Sequence, residues 1–177
     1  MNNPYGSYLQ GREPLGALGE TVPRLRELWK SIFPAAVERP YAPGKWTAQQ
    51  IVMHLAQVEI ITGTRLRQAL TLDEYTVQPF DQDDWMRREP LADAALVYEA
   101  FCAMRAWNLA LWRSLDSAER AKTFTHPEQG ERTISWLLEW LAGHDLNHLP
   151  QLEQIAALEP ARASTLEVKA TDLRRPD

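Results

Sequence analysis

The chain has 177 residues and a net charge of -5, with its 19 Lys and Arg scattered, so it presents no basic footprint for DNA or RNA. A 45% hydrophobic content is ordinary for a globular chain, and the length suits one domain with a sizeable core. The single Cys102 cannot form an internal disulfide, and neither the polar start MNNPYGSYLQGREPLG nor any later run has the apolar length of a signal peptide or a membrane span. A soluble, cytoplasmic, single-domain protein is therefore expected, with flexible ends at about 1–14 and 161–177.

The first helical pattern runs from Gly16 to Phe33, with Leu25, Leu28, Trp29 and Ile32 at three- and four-residue spacing and Pro23 expected in its first or second turn. Pro34, Pro40, Pro43 and Gly44 break it. Thr47 followed by Gln50 is a capping-box signature, which starts the second helix at Thr47 and carries it to about Leu70. The polar, acidic stretch Thr71–Pro90 has little periodicity and reads as a long crossover. A third helix is expected from Leu91 to Leu115, on a stripe of Val97, Phe101, Met104, Leu111 and Leu115 that also takes in Asn108. The loop after it carries Pro127 and Gly130 and has a short extended piece at Thr123–Thr125. The fourth helix begins near Thr133 or Ser135 and runs to about Leu158, stopped by Pro160. Four amphipathic helices without strand alternation predict an all-α, antiparallel four-helix bundle.

The chemistry lies in the polar members of the apolar faces. On the fourth helix the stripe is Ile134, Leu137, Leu138, Leu141, Leu152 and Ile155. At about 100° per residue His148 falls within it, while His144 and Gln151 fall along one edge. The four-residue spacing puts the two imidazoles one turn apart, so that one helix can offer two ligands to one metal. His54 sits among Ile51, Leu55, Val58 and Ile61 on the second helix. Alone it would read as a hydrogen-bonded core histidine; with the other two, a shared divalent metal (Zn, Ni, Fe or Mn) explains all three.

Around them, Gln151, Asp145, Glu59 and Asn108 are candidate partners of the ligand histidines, and His126 a candidate proton shuttle at the bundle mouth. Asp81, Asp83 and Asp84 cap the pocket, supply a fourth ligand or form a solvated acidic loop. Cys102 reads as a small buried hydrophobe. The seven tryptophans (Trp29, Trp46, Trp85, Trp107, Trp112, Trp136 and Trp140) fill core, line a pocket or cover a subunit interface. No Glu-x-x-His pair, His-Glu-x-x-His motif or Gly-x-Ser-x-Gly elbow occurs, and Arg39 stands where a phosphate loop would need glycine.

The segment GKWTAQQIVMHLAQVE (Gly44 to Glu59) resembles the second helix of the DinB/YfiT-like family, in which a Trp-Ser/Thr helix start precedes a ligand histidine. The stretch Gly130 to Leu158 resembles that family's last helix, with its His-x-x-x-His pair followed by Gln, and helix number and order agree over nearly the whole chain. The resemblance implies His54, His144 and His148 as ligands of one metal, with water or substrate completing the shell. It further implies a metal-dependent enzyme on a small-molecule substrate, either a hydrolase or a transferase or isomerase using a low-molecular-weight thiol such as bacillithiol or mycothiol, and a homodimer. The alternative is a non-catalytic stress or binding protein with a structural metal.

Overall fold

The computed structural model describes residues 3–89 and 93–158. The expected tail from Ala161 and the expected helix start at Leu91 lie outside the described residues. Four long helices carry the fold: α2 (Pro14–Ile32), α3 (Ala48–Thr71), α5 (Ala94–Ser114) and α7 (Ile134–Ala156). Between them lie the short α4 (Gln82–Arg88) and α6 (Ser117–Ala121) and a hairpin of β1 (Thr123–His126) and β2 (Gly130–Thr133), and α1 (Gly6–Leu9) precedes them all.

Each long helix starts on a side-chain cap that satisfies otherwise unpaired backbone N–H groups. Glu13 accepts from Leu15 and Gly16 ahead of α2. The capping box ahead of α3 is complete, with Gln50 N donating to Thr47 Oγ1 at 3.2 Å and Thr47 N to Gln50 Oε1 at 2.9 Å. Asp93 caps α5 and Thr133 caps α7. Pro23 lies well inside α2 rather than in its first turns, and is tolerated because it faces solvent.

The direction of the helices follows from what they touch. Along α2, Thr21 meets Asp145 and Arg24 meets Glu153, so α2 and α7 run the same way. Along α3, Glu59 meets Arg105 and Arg67 meets Asn108, so α3 and α5 also run together. By contrast His54 faces His144 while the later residues Val58 and Thr62 share a cleft with the earlier Trp136 and Trp140, making α3 antiparallel to α7. The bundle is thus up, down, down, up. A parallel neighbour requires the chain to return the full length of the bundle, which is the work of the crossover between α3 and α5. That crossover is not structureless: Asp81 caps α4 within it, and the seven residues of α4 are too few to show periodicity.

Two apolar layers fill the ends of the bundle. One gathers Leu18, Leu66, Leu109, Trp112, Leu137 and Leu141; the other gathers Leu25, Ile32, Ile51, Leu55, Phe101, Leu152 and Ile155. Met104 and Leu111, assigned to the stripe of α5 from spacing, are only half-buried, and their places inward are taken by Arg105 and Trp112.

The first described residues, expected to be loose, instead pack on α7. Leu9 is buried, and the Tyr5 ring meets Trp140 edge-on at 5.4 Å and His144 at 5.2 Å. Gly143 permits this approach, since a Cβ there would stand 2.3 Å from the Tyr5 carbonyl oxygen. Gly143→Ala is expected to destabilise the full chain by about 1–3 kcal/mol through overpacking. In a chain lacking residues 1–12 the same change should be neutral or stabilising, because alanine is the better helix former by about 1 kcal/mol. Denaturant titration of the four proteins checks this; equal effects in both backgrounds would mean that the segment does not dock there.

Candidate metal centre

His54 from α3 and His144 and His148 from α7 meet in the interior, each 6% exposed or less. One ring nitrogen from each lies within 4.8 Å of the others, and His54 Nε2 stands 2.9 Å from His144 Nε2. Among the described residues they form the one cluster of metal-ligating side chains. Their convergence follows from the antiparallel pairing of α3 with α7, which places a single residue of one helix opposite a four-residue step of the other.

The environment of His54 and His148 keeps these two rings neutral, with lone pairs free for a cation. Burial, reinforced by the neighbouring imidazoles His144 and His148, pushes the His54 pKa down to about 2, and burial with His144 beside it pushes His148 down to about 4. Gln151 Oε1 lies 3.1 Å from His148 Nδ1. An amide oxygen only accepts, so Nδ1 carries the hydrogen and Nε2 keeps its lone pair. Among the described residues His54 Nδ1 and His144 Nδ1 have no hydrogen-bond partner, so two facing Nε2 atoms with a single bond between them leave the pair under-satisfied. In that contact only one ring can donate; a divalent ion would instead take a lone pair from each facing Nε2, and imidazole nitrogens are the right donors for it.

Aromatic rings wall the cluster. Trp46 packs against His54 at 4.9 Å and stacks on His148 at 6.2 Å, Phe80 stacks on His54 at 6.3 Å, and Trp140 stacks on His144 at 5.1 Å. On one side a cavity of about 210 Å³, lined by Tyr41, Lys45, Trp46, His148 and Gln151, reaches the cluster. On the other a larger cleft of about 490 Å³ shares Phe80 and Trp140 with it.

Beneath the histidines lies a buried ionic network. Arg105 donates from Nε and Nη2 to Glu59 Oε1 at 2.9 and 2.7 Å, and from Nη1 to Asp145 Oδ2 at 2.5 Å. Thr21 Oγ1 donates to Asp145 Oδ2 at 2.7 Å, and Asn108 Nδ2 to Glu59 Oε2 at 2.9 Å. Asn108 fits because Gly63 opposite it has no Cβ, which would stand 2.6 Å from the amide. Burial pushes the Asp145 carboxyl up, but the Arg105 guanidinium and the neighbouring His144 ring together outweigh it and hold Asp145 well below the usual carboxylate range. Asp145 Oδ1 has no hydrogen-bond partner among the described residues and lies 3.9 Å from His144 Nδ1. One buried guanidinium therefore faces two buried carboxylates, and the excess negative charge sits against the histidines, where it favours a cation.

Of the residues singled out from sequence, the three histidines come together, Gln151 bonds His148, and Asp145 adjoins His144. Glu59 and Asn108 instead belong to the Arg105 network, and His126 lines the larger cleft. Asp81 caps α4 and Asp84 pairs with Arg87, away from the histidines. Cys102 is half-buried, and burial pushes its thiol up. Arg105 and Thr21 were missed. The available signal was Arg105 standing four residues after Phe101 and three before Asn108, on the inward face of α5.

A model of the DinB superfamily matches residues 17–152, and the chain belongs to that family. A protein of Bacillus mycoides (strain KBAB4), provisionally named a metal-dependent hydrolase, is 28% identical over 133 residues, covering 71% of this chain and 75% of its own. One from Oceanobacillus iheyensis with the same provisional name is 27% identical over 124 residues, covering 67% of this chain and 70% of its own. Among solved structures, YfiT from Bacillus subtilis, described as a probable metal-dependent hydrolase with an unusual four-helix bundle topology, superposes with a TM-score of 0.73 at 22% identity, covering 80% of this chain and 83% of that one. TT2238, a four-helix bundle protein, gives a TM-score of 0.55 at 24% identity, covering 79% of this chain and 95% of its own. These structural likenesses bear out the four-helix-bundle expectation. No helix among the described residues is long and apolar enough to cross a membrane.

Removing the guanidinium leaves two carboxylates buried without their cation. Arg105→Met is expected to cost about 3–5 kcal/mol, because breaking a buried pair strands the remaining charge. The triple change Arg105→Met, Glu59→Gln, Asp145→Asn should recover much of that loss. Urea denaturation of the two variants checks it; a triple variant no more stable than the single one would show that the charges are not coupled.

Proposed function

We propose that the chain is a divalent-metal-dependent hydrolase of a small molecule, with His54, His144 and His148 as the metal ligands. The observation that carries this reading is the meeting of three buried imidazoles, with ligand nitrogens within 4.8 Å, beside a buried carboxylate. The relatives' names point the same way. When bound, such an ion supplies Lewis acidity, lowering the pKa of a water in an open position or polarising a substrate carbonyl.

The chain's own residues do the rest. Gln151 fixes the tautomer of His148, and Asp145, itself held by Arg105 and Thr21, stands where it can take the Nδ1 hydrogen of His144 and keep that ring oriented. Trp46, Phe80 and Trp140 line the flanks with apolar rings, which lowers the local dielectric and strengthens electrostatic interactions among the histidines. Because three protein ligands leave positions open, a small thiol would find a place there as well as water, and the relatives' names favour water.

Elemental analysis tests the reading. About one metal per chain is expected in the wild type, lost in the His144→Ala, His148→Ala double variant, with hydrolysis of a panel of small esters and amides following the metal content. Asp145→Asn should keep the fold and weaken metal affinity by about 10- to 100-fold. A wild-type chain that binds none of Zn, Ni, Fe or Mn after reconstitution would overturn it.

A further inference from the structure

The larger cleft sets a guanidinium and an imidazole among aromatic rings. Its walls are the aromatic rings of Phe80, Phe124, Trp136 and Trp140, and Arg65 and His126 stand among them. Arg65 is only 8% exposed, yet it has no carboxylate within ion-pairing distance among the described residues. Of its five N–H donors, one is engaged, with Nη2 donating to the Gln78 carbonyl at 2.8 Å. His126 Nδ1 accepts from the Glu128 N–H at 3.3 Å, so its Nε2 carries the hydrogen and donates.

The two acidic residues of the lining do not answer these donors. Asp81 is exposed, and its Oδ1 is spent on Asp83 N and Asp84 N at the start of α4. Glu128 is exposed at the rim. A buried guanidinium without a counter-ion is costly, and a planar fork is the donor shaped for a carboxylate.

We infer that this cleft binds a ring-bearing carboxylate, its acid group on Arg65 and His126 and its ring among Phe80, Trp136 and Trp140. Phe80 and Trp140 also pack on His54 and His144, so a ligand seated there reaches to the wall of the metal cluster. The inference names the substrate class for the proposed hydrolase and rests on that reading for its catalytic meaning. Binding itself does not require the metal.

The test is calorimetric titration of the full chain, metal-loaded and after chelation, with 1-naphthylacetate and with its neutral isostere 1-naphthylacetamide. The acid should bind saturably in both states, and the amide at least about tenfold more weakly, the discrimination expected of a charge-assisted pair. Arg65→Gln should lower acid affinity by about the same factor and leave the amide unchanged. His126→Gln should lower it less. Equal binding of acid and amide, or acid binding unaffected by Arg65→Gln, overturns the inference. So does acid binding that vanishes on chelation, which would place the carboxylate on the metal. If Arg65→Gln fails to fold, the contrast between acid and amide on the wild type decides by itself. A chain that binds no metal but still holds the acid through Arg65 would sink the hydrolase reading and leave this one standing.

Discussion

The Arg105 guanidinium is the point at which all four long helices are tied. It lies between the two apolar layers and reaches Glu59 on α3 and Asp145 on α7, while Thr21 on α2 closes on the same Asp145 oxygen. Such a network is not a cheap source of stability, since taking three charges out of water costs several kcal/mol each, on the order of what their attraction returns. What it supplies is register. Apolar side chains slide past one another with small penalties, whereas a fork that must meet two carboxylates on different helices fits in one arrangement only. Asp145 is adjacent in sequence to His144, and His54 is little more than one turn from Glu59. Fixing the fork therefore fixes the opposition of His54 and His144.

That register operates within an unusual order of directions. Had the chain folded up and down with short loops, consecutive helices would be neighbours and no segment would need to travel the length of the bundle. Here α3 and α5 run together, so the crossover between them must return along the outside. Phe80 comes from that crossover and covers His54, and Val77 pairs with the hairpin through Thr125. The hairpin in turn closes the path from α5 to α7 and brings His126 to the cleft. The topology thus converts two connections into the walls of a cleft beside the histidines.

Much of this was legible in the sequence. Thr47 with Gln50, and Thr133, mark helix starts by a local mechanism, in which a side-chain oxygen meets a free backbone N–H, and local mechanisms can be read without tertiary structure. The four-residue step between His144 and His148 is likewise a property of one helix. The role of Arg105 was not legible, because an arginine on an apolar stripe is acceptable only if carboxylates arrive from other helices, and neither Glu59 nor Asp145 announces which helix it will face. Helix direction was hidden for a similar reason: it depends on which ends of the helices the loops connect. The docking of Tyr5 depended on the absence of a side chain at Gly143, a feature visible only when the two segments are brought together.

The division between helix and loop also separates two chemical tasks. The histidines, their polar supports and the ionic network all stand on α2, α3, α5 and α7, where positions are held by packing on every side and a metal site can be kept to a fraction of an ångström. The larger cleft takes part of its wall, Pro79 to Gln82 and His126 to Gln129, from the crossover and the hairpin turn. Loops accept substitution with little effect on the core, so the lining of the cleft can change while the histidine cluster stays intact. Core histidines recognisable at a distance are, for that reason, poor witnesses to what the cleft would bind. On the proposed reading that question falls to Arg65, which has no carboxylate partner among the described residues, and to the aromatic side chains that surround it.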